Sequence, residues 1–269
     1  MTGQGAYRIE ALVLRKTKLK ESDLIVTLLA EDGSLVRAVA HGARKPQSPF
    51  ASRLEPCAVV DVLLARGRSL DVAKEARFVA PNAAVRADFD VSAAALPLVE
   101  LAGKVAEVGL ENPRLFQCAV AALALMDKAA AGTVGAENAV VVGCADRARI
   151  LCAACLLKEL AFAGFRPSLA HCAVCGEPLS FAAPSSAFSP YEGGCLCDAC
   201  AAAGERSRRI DAAVCVLARD LLHRPFADVV ALSAPSSHVK GVLRIVQDLA
   251  EEHVGSRLKS VSFLLGAWE

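Results

Sequence analysis

Two pairs of closely spaced cysteines limit how the C-terminal half of this chain can fold. Cys172 and Cys175 form one CxxC pair, Cys197 and Cys200 form a second, and 21 residues separate them. Each pair can turn back on itself and point two thiolates at one centre, and two such turns supply the tetrahedral four-sulfur shell that zinc favours. Because a closed shell leaves no position for water or substrate, we expect one structural Zn²⁺.

Other uses of these cysteines stay open at this point. A redox dithiol needs one CxxC pair at the start of a helix, and an iron–sulfur cluster takes the same ligands as zinc. Cys195 and His171 lie close to the pairs and offer substitute ligands. The total of 11 cysteines is odd and no secretory leader is visible, so we expect a protein of the reducing cytoplasm and not a disulfide framework.

Residues 7–79 show the pattern of β-strands. The first three segments are "YRIEALVLR", "DLIVTLLAE" and "SLVRAVAH", and the Asp32-Gly33 dipeptide predicts a tight hairpin between the second and the third. Two more segments follow, "CAVVDVLLAR" and "LDVAKEARFV". Five short strands predict a small closed or nearly closed barrel, and the five-stranded OB-fold is the commonest architecture of this size.

After Pro81 the spacing of apolar residues changes to the spacing that is typical of α-helices. The segments with apolar residues three and four apart are 92–110, 113–131, 137–164, 211–222 and 236–254. We therefore predict an α+β chain with two domains, an OB-fold β-barrel at residues 1–80 and an all-α domain at 81–269 that carries the zinc module at 171–201. No apolar run reaches the roughly 20 residues of a membrane span, so no membrane association is expected.

Positive charge is concentrated in the first 80 residues, which hold 13 Lys and Arg against 9 Asp and Glu. Four basic side chains lie in "HGARKPQSPFASRLEP", residues 41–56, between the third and fourth strands. One interpretation is a solvated loop. The other is that folding gathers cations on one side of the barrel, where they meet DNA phosphates, with Phe50 and Tyr7 as the aromatic side chains able to stack on bases. The candidate DNA contacts are Arg15, Lys16, Lys18, Arg37, Arg44, Lys45, Arg53, Arg66 and Arg68.

These segments closely resemble a known family. "ALVLRKTKLKESDLIVTLLAEDGSLVRAVAHGARKP" and "RLEPCAVVDVLLARGRSLD" are similar to the N-terminal OB-fold of RecO, a family of bacterial DNA repair and recombination mediators. The similarity continues through "NPRLF", "AGFRPSLAHCAVCG", "FSPYEGGCLCDAC" and "RLKSVSFLL". It implies a non-enzymatic protein of the bacterial cytoplasm and nucleoid that binds single- and double-stranded DNA and anneals complementary strands. It also implies cooperation with RecR in helping RecA replace single-stranded-DNA-binding protein, and zinc ligands at the four paired cysteines.

An enzymatic role has little support in the sequence. The five histidines are scattered, and neither a phosphate-binding glycine loop nor a nucleophile elbow occurs, so we expect no catalytic residues. The alternative to a DNA-binding mediator is a zinc-stabilised protein–protein adaptor that makes no direct contact with DNA. Binding to a bare oligonucleotide separates these two hypotheses.

Overall fold

The computed structural model of this chain describes residues 5–48, 50–133, 143–204 and 206–266. Its contacts group into two compact units, Met1–Asp127 and Lys128–Glu269. Among the described helices, none combines the length and the apolar character that a membrane span needs.

The N-terminal unit contains the five strands that the sequence predicts. They are β1 (Ala6–Lys18), β2 (Leu24–Ala30), β3 (Leu35–Ala40), β4 (Val59–Ala65) and β5 (Asp71–Ala80). The strands are ordered β1-β2-β3-β5-β4, and β4 pairs back onto β1, so the sheet closes into a barrel. The β3–β5 pair is parallel and the others are antiparallel.

The barrel interior is filled by aliphatic side chains from alternate strand positions, among them Val26, Leu28, Val62 and Leu64. The segment between β3 and β4 also contributes to this core, because Ala43, Phe50 and Leu54 are buried in the same cluster. Its backbone forms successive turns, such as the Lys45 N–H bond to the Gly42 carbonyl. One side of the predicted loop is therefore part of the folded barrel.

Three helices follow the barrel, namely α1 (Ala83–Ala87), α2 (Phe89–Val105) and α3 (Pro113–Ala130). α2 continues through Pro97 and packs against β1 and β2. The N-terminal unit thus includes α1, α2 and most of α3, whereas the strand pattern ends at residue 80. The domain division at that residue stays a prediction.

The β2–β3 turn is held by the connection between α2 and α3. The Asn112 N–H donates to the Asp32 carbonyl at 2.8 Å, and the Leu35 N–H donates to the Glu107 carbonyl at 3.0 Å. Gly33 has φ +83°, and a Cβ at this position would lie 1.9 Å from the Asn112 carbonyl oxygen. Only glycine fits this turn, because any side chain would overlap the facing backbone.

The C-terminal unit is mainly helical but also contains a small sheet. Its elements are α4 (Cys144–Phe162), β6 (Ser185–Ser189), β7 (Gly194–Leu196), α5 (Asp198–Ala203), β8 (Arg208–Asp211), α6 (Ala212–His223), α7 (Phe226–Val229), α8 (Ser236–Leu249), a π-helical turn (Ala250–Val254) and α9 (Lys259–Gly266). Within this unit α4 packs against α6, α7 and α8. Residues 137–142 of the predicted helix 137–164 lie outside the described residues.

The antiparallel sheet, with strand order β7-β6-β8, corrects the prediction of an all-α second domain. Its strands are only three to five residues long and rich in serine, glycine and arginine. Such segments lack the alternation of apolar and polar residues over four to eight positions that marks a strand in a sequence.

Candidate nucleic-acid interface and metal centre

The register of β1, β2 and β3 places two predicted cations on one row. Arg15 lies opposite Thr27, and Thr27 lies opposite Arg37. Residues that face each other across antiparallel strands project from the same side of the sheet, and adjacent strands are roughly 4.8 Å apart. Arg15 and Arg37 therefore lie on the outer surface, with Cα atoms about 10 Å apart, and both are exposed.

The next cations of β1 lie on the other side of the strand. Lys16 pairs with Val26 and Lys18 with Leu24, and both of these partners belong to the barrel core. Lys16 and Lys18 nevertheless remain exposed at the end of the barrel. The Lys16 ammonium forms an ion pair with Glu55 in the segment between β3 and β4.

Asp23 fixes the start of that segment. It is 8% exposed, accepts the Gly42 N–H at 2.8 Å and lies 3.0 Å from His41 Nδ1. The Gly42 N–H and then the His41 side chain lower the pKa of Asp23, because both interactions favour its charged form. Our sequence reasoning did not identify Asp23, although an acidic residue directly before the apolar run "LIV" is a signal that could have found it.

Arg44 ties the same segment to the β1–β2 connection. Its backbone N–H donates to the Ser22 carbonyl at 3.0 Å, and its Nη1 donates to the Glu21 carbonyl at 2.6 Å. These contacts place Arg44 and the exposed Lys45 beside the residues that follow Lys18. The structure therefore brings together cations from two different connections.

The far end of the segment is also anchored. Arg53 Nη1 donates to the Ala76 carbonyl at 3.2 Å, and Asn82 Nδ2 donates to the Cys57 carbonyl at 2.7 Å. Phe50 is only 7% exposed and lies in the barrel core. The expectation that Phe50 stacks on bases is therefore wrong, since its ring fills the barrel.

The β4–β5 turn carries two further predicted contacts, Arg66 and Arg68. The Arg66 guanidinium lies 4.8 Å from the centroid of the Tyr7 ring. The Tyr7 hydroxyl donates to Asp71, and burial together with this acidic partner raises the pKa of Tyr7 to about 12. Tyr7 is thus covered by a neighbouring side chain, while Arg68 is exposed.

The nine predicted DNA contacts fall into two classes. Lys16, Arg44, Arg53 and Arg66 are held by the contacts above. Within the described residues, no hydrogen bond, ion pair or ring contact involves the side chains of the remaining five, which are Arg15, Lys18, Arg37, Lys45 and Arg68.

The outer surface of β4 and β5 differs from that of β2 and β3. There Arg8 forms ion pairs with Asp61 and, at 3.2 Å, with Glu75, and Glu75 also pairs with Arg77. Acidic partners pair with Arg8 and Arg77 on this side, whereas Lys74 of β5 is exposed. Of the five predicted contacts whose side chains have no partner among the described residues, four lie on β1, on β3 or in the segment between β3 and β4, and Arg68 lies in the β4–β5 turn.

In the C-terminal unit, the four paired cysteines converge. The sulfur atoms of Cys172, Cys175, Cys197 and Cys200 all lie within 4.8 Å of one another. The first pair is closed by Gly176, which has φ +78° and donates its N–H to the Cys172 carbonyl at 2.9 Å. The Cys197 sulfur accepts the Cys200 N–H at 3.5 Å at the start of α5.

The surroundings of this cluster favour the thiolate form at Cys172, while hydrogen bonds with the neighbouring thiols of Cys197 and Cys175 raise the pKa of Cys200 to about 12. Burial opposes ionisation of Cys172, but N–H donors of Cys175, Cys197 and Val174 outweigh it and lower its pKa to about 6. Metal binding requires deprotonated thiols, and four soft sulfur donors in a closed group match a divalent metal such as zinc. The four cysteines can therefore hold a metal ion.

The two proposed substitutes lie outside this group. Cys195 is fully buried and its thiol is hydrogen-bonded to the thiol of Cys215, which raises the pKa of Cys195. His171 is exposed, and its carbonyl accepts the Ser168 hydroxyl at 2.8 Å. The structure thus brings together the four cysteines of the two CxxC pairs.

Comparisons with known proteins give matches that cover nearly the whole chain. Residues 1–82 match the family model described as Recombination protein O N terminal, and residues 86–262 match that described as Recombination protein O C terminal. A Bifidobacterium adolescentis protein named DNA repair protein RecO is 35% identical over 259 residues, which is 96% of this chain and 98% of the relative. A Nocardioides protein of the same name is 39% identical over 202 residues, 75% of this chain and 77% of the relative.

Both halves match models of one family, and a relative of that name aligns with almost the full length. The chain therefore belongs to the RecO family of DNA repair proteins.

Proposed function

We propose that this chain is a recombination mediator that binds single- and double-stranded DNA through its N-terminal barrel and anneals complementary strands. With RecR it helps RecA replace single-stranded-DNA-binding protein, in the bacterial cytoplasm and in association with the nucleoid. Membership of the family supports this role. The observation that carries it is the set of five exposed cations, on β1, on β3, in the β3–β4 segment and in the β4–β5 turn, whose side chains have no partner among the described residues.

We infer that the barrel is an OB-fold and that residues 1–80 are the DNA-binding domain. Its five-stranded closed order supports this assignment. OB-folds bind oligonucleotides on the face of strands 2 and 3 and on the connections between strands 1 and 2 and between strands 4 and 5. Here Arg37 lies on β3, Lys20 lies between β1 and β2, and Arg66 and Arg68 lie between β4 and β5.

The mechanism is electrostatic. Free cations replace the counterions that surround the DNA backbone, and the release of these ions favours binding, whereas a cation already paired with a carboxylate contributes less. Phe50 is buried and Tyr7 is covered by Arg66, so these two rings contribute little to base stacking. Binding is therefore expected to be independent of sequence, and it needs no covalent chemistry.

The cysteine cluster is proposed to hold one Zn²⁺ with a structural role, within a zinc module at residues 171–201 of a helical domain at 81–269. Cys172, Cys175, Cys197 and Cys200 are the ligands. When bound, zinc supplies folding energy and no reactive position, because four sulfur ligands complete its shell. The module's own residues determine the geometry through the N–H bonds to Cys172 and Cys197.

The test is fluorescence anisotropy of a bare, labelled single strand at increasing salt, with partner proteins absent. A strand that contacted all five cations would give a log–log slope of roughly −3.5, at −0.7 for each phosphate, and a strand that contacts fewer of them gives a proportionally shallower slope. The Lys18→Ala/Lys45→Ala variant should weaken binding to every sequence about equally and leave the metal content unchanged. A slope near zero would refute DNA binding and favour the protein–protein adaptor.

A further inference from the structure

We propose that the barrel has two separate surfaces for nucleic-acid backbones, so that one chain holds two single strands at once. The first, the outer row, consists of Arg15, Thr27 and Arg37. The second, the loop cluster, consists of Lys18, Lys20, Arg44 and Lys45. This inference rests on the proposed DNA binding and adds the number and placement of the strands.

The direction of the side chains along β1 separates the two surfaces. The pairing of β1 with β2 is shifted between Val13 and Arg15, as in a β-bulge. Beyond that shift Arg15 lies opposite Thr27, which does not belong to the core cluster, while Lys18 lies opposite Leu24, which does. Because successive strand residues project to opposite sides, Arg15 and Lys18 are directed away from each other.

The outer row is open to a ligand. Leu12 and Leu29 face each other further along β1 and β2 and are fully buried, and α2 packs against these two strands. Arg15 and Arg37 lie towards the other end of the same register and are exposed. Asp71 is the acidic residue paired next to Arg37, since it lies opposite Ala38 in the β3–β5 pairing. Its carboxylate already accepts hydrogen bonds from the Tyr7 hydroxyl and the Gly67 N–H.

The loop cluster is built by contacts between two connections. Arg44 donates from its backbone to Ser22 and from its side chain to the Lys20 and Glu21 carbonyls. Asp23 secures the neighbouring Gly42. Lys18, Lys20 and Lys45 are exposed around this junction and lack protein partners within the described residues. Their ammonium groups are therefore available to a second backbone.

Two surfaces on one barrel would account for annealing without chemistry. Binding two strands to the same chain converts their encounter into an intramolecular step, with an effective concentration in the millimolar range for short tethers. Complementary strands would then meet far more often than in solution. A surface that held only one strand would give no such increase within one chain.

The experiment counts short strands per chain under conditions of tight binding. Wild-type protein is titrated with a labelled six-nucleotide strand, and the Arg15→Ala/Arg37→Ala and Lys18→Ala/Lys45→Ala variants are titrated alongside. Lys74→Ala is the control, because Lys74 is exposed on β5, outside both surfaces. Circular dichroism and thermal melts verify that each variant is folded.

We expect two strands per wild-type chain and per Lys74→Ala chain, and one strand per chain for each double variant. Each double variant should also lose annealing of complementary strands while it retains binding of one strand. One strand per wild-type chain, weakened by both double variants, would overturn the two-surface inference and leave DNA binding intact. Failure of the wild-type chain to bind any strand would instead overturn the proposed function itself.

Discussion

Replacement of a single cluster cysteine gives a sharp test of the proposed zinc site. Among the described residues, the apolar cluster around the sulfur atoms contains three buried members, Cys172, Ala187 and Leu196. Full burial of a leucine side chain contributes about 1.5–3 kcal/mol, whereas a structural zinc ion contributes about 10–16 kcal/mol in small zinc domains. The metal is therefore expected to dominate the local stability of this segment.

Cys197→Ser should lower the metal content from about one zinc ion per chain towards zero and expose the amides of residues 172–203 to hydrogen exchange. Cys195→Ser is the matched control, because Cys195 is buried beside Cys215 and outside the cluster. Burial of its hydroxyl should cost about 1–3 kcal/mol without loss of metal. Elemental analysis and hydrogen-exchange mass spectrometry provide the two measurements.

Two results would refute this reasoning. If Cys195→Ser removed the metal while Cys197→Ser retained it, the ligand assignment would be wrong. If the metal-free chain kept full amide protection over residues 172–203, the metal would have no structural role.

The barrel unit gives three further predictions. Gly33→Ala should destabilise the protein by more than about 3 kcal/mol in a urea titration, since its Cβ would overlap the facing backbone. Gly109 has φ +77° but open space around it, so Gly109→Ala should cost only about 1–2 kcal/mol in the same measurement. Phe50→Ala should lower the free energy of unfolding by about 3–5 kcal/mol, because it leaves a cavity in the barrel. The folded variant should keep the DNA affinity of the wild type. Weaker DNA binding at unchanged stability would show instead that the ring contacts bases. Asp23 has a lowered pKa, so its contribution to stability is complete above the ordinary aspartate value of about 4 and is lost as the pH falls through the lowered pKa. Asp23→Asn should reduce the loss of folding stability at acid pH. If the free energy of unfolding had the same pH dependence in the variant and the wild type, Asp23 would not fix the loop.

The features that sequence reasoning identified depend on local spacing. The strand pattern and the Asp32-Gly33 turn predict the five strands of the N-terminal sheet, because side-chain alternation is a property of each strand by itself. The two CxxC motifs likewise identify the four cysteines that converge. The sheet of β6, β7 and β8 was missed because its strands are too short to show a pattern.

The features that it could not identify depend on contacts between distant residues. Lys16 and Glu55 are 39 positions apart, so the sequence does not show that this cation is already paired. Phe50 lies in a polar stretch, and only the closed barrel shows that it is a core residue. The distinction between held and available cations therefore required the fold.

The central claim is that the cations of the outer row and of the loop cluster contact the DNA backbone, and lysine footprinting tests it most directly. The chain is acetylated with an amine-reactive reagent at low salt, with and without a single strand, and each lysine is quantified by mass spectrometry. We predict that DNA slows the acetylation of Lys18 and Lys45 and leaves Lys74 on β5 unchanged, since all three are exposed but only the first two belong to the loop cluster. Unchanged rates at Lys18 and Lys45 with DNA bound, or equal slowing at Lys74, would contradict the account.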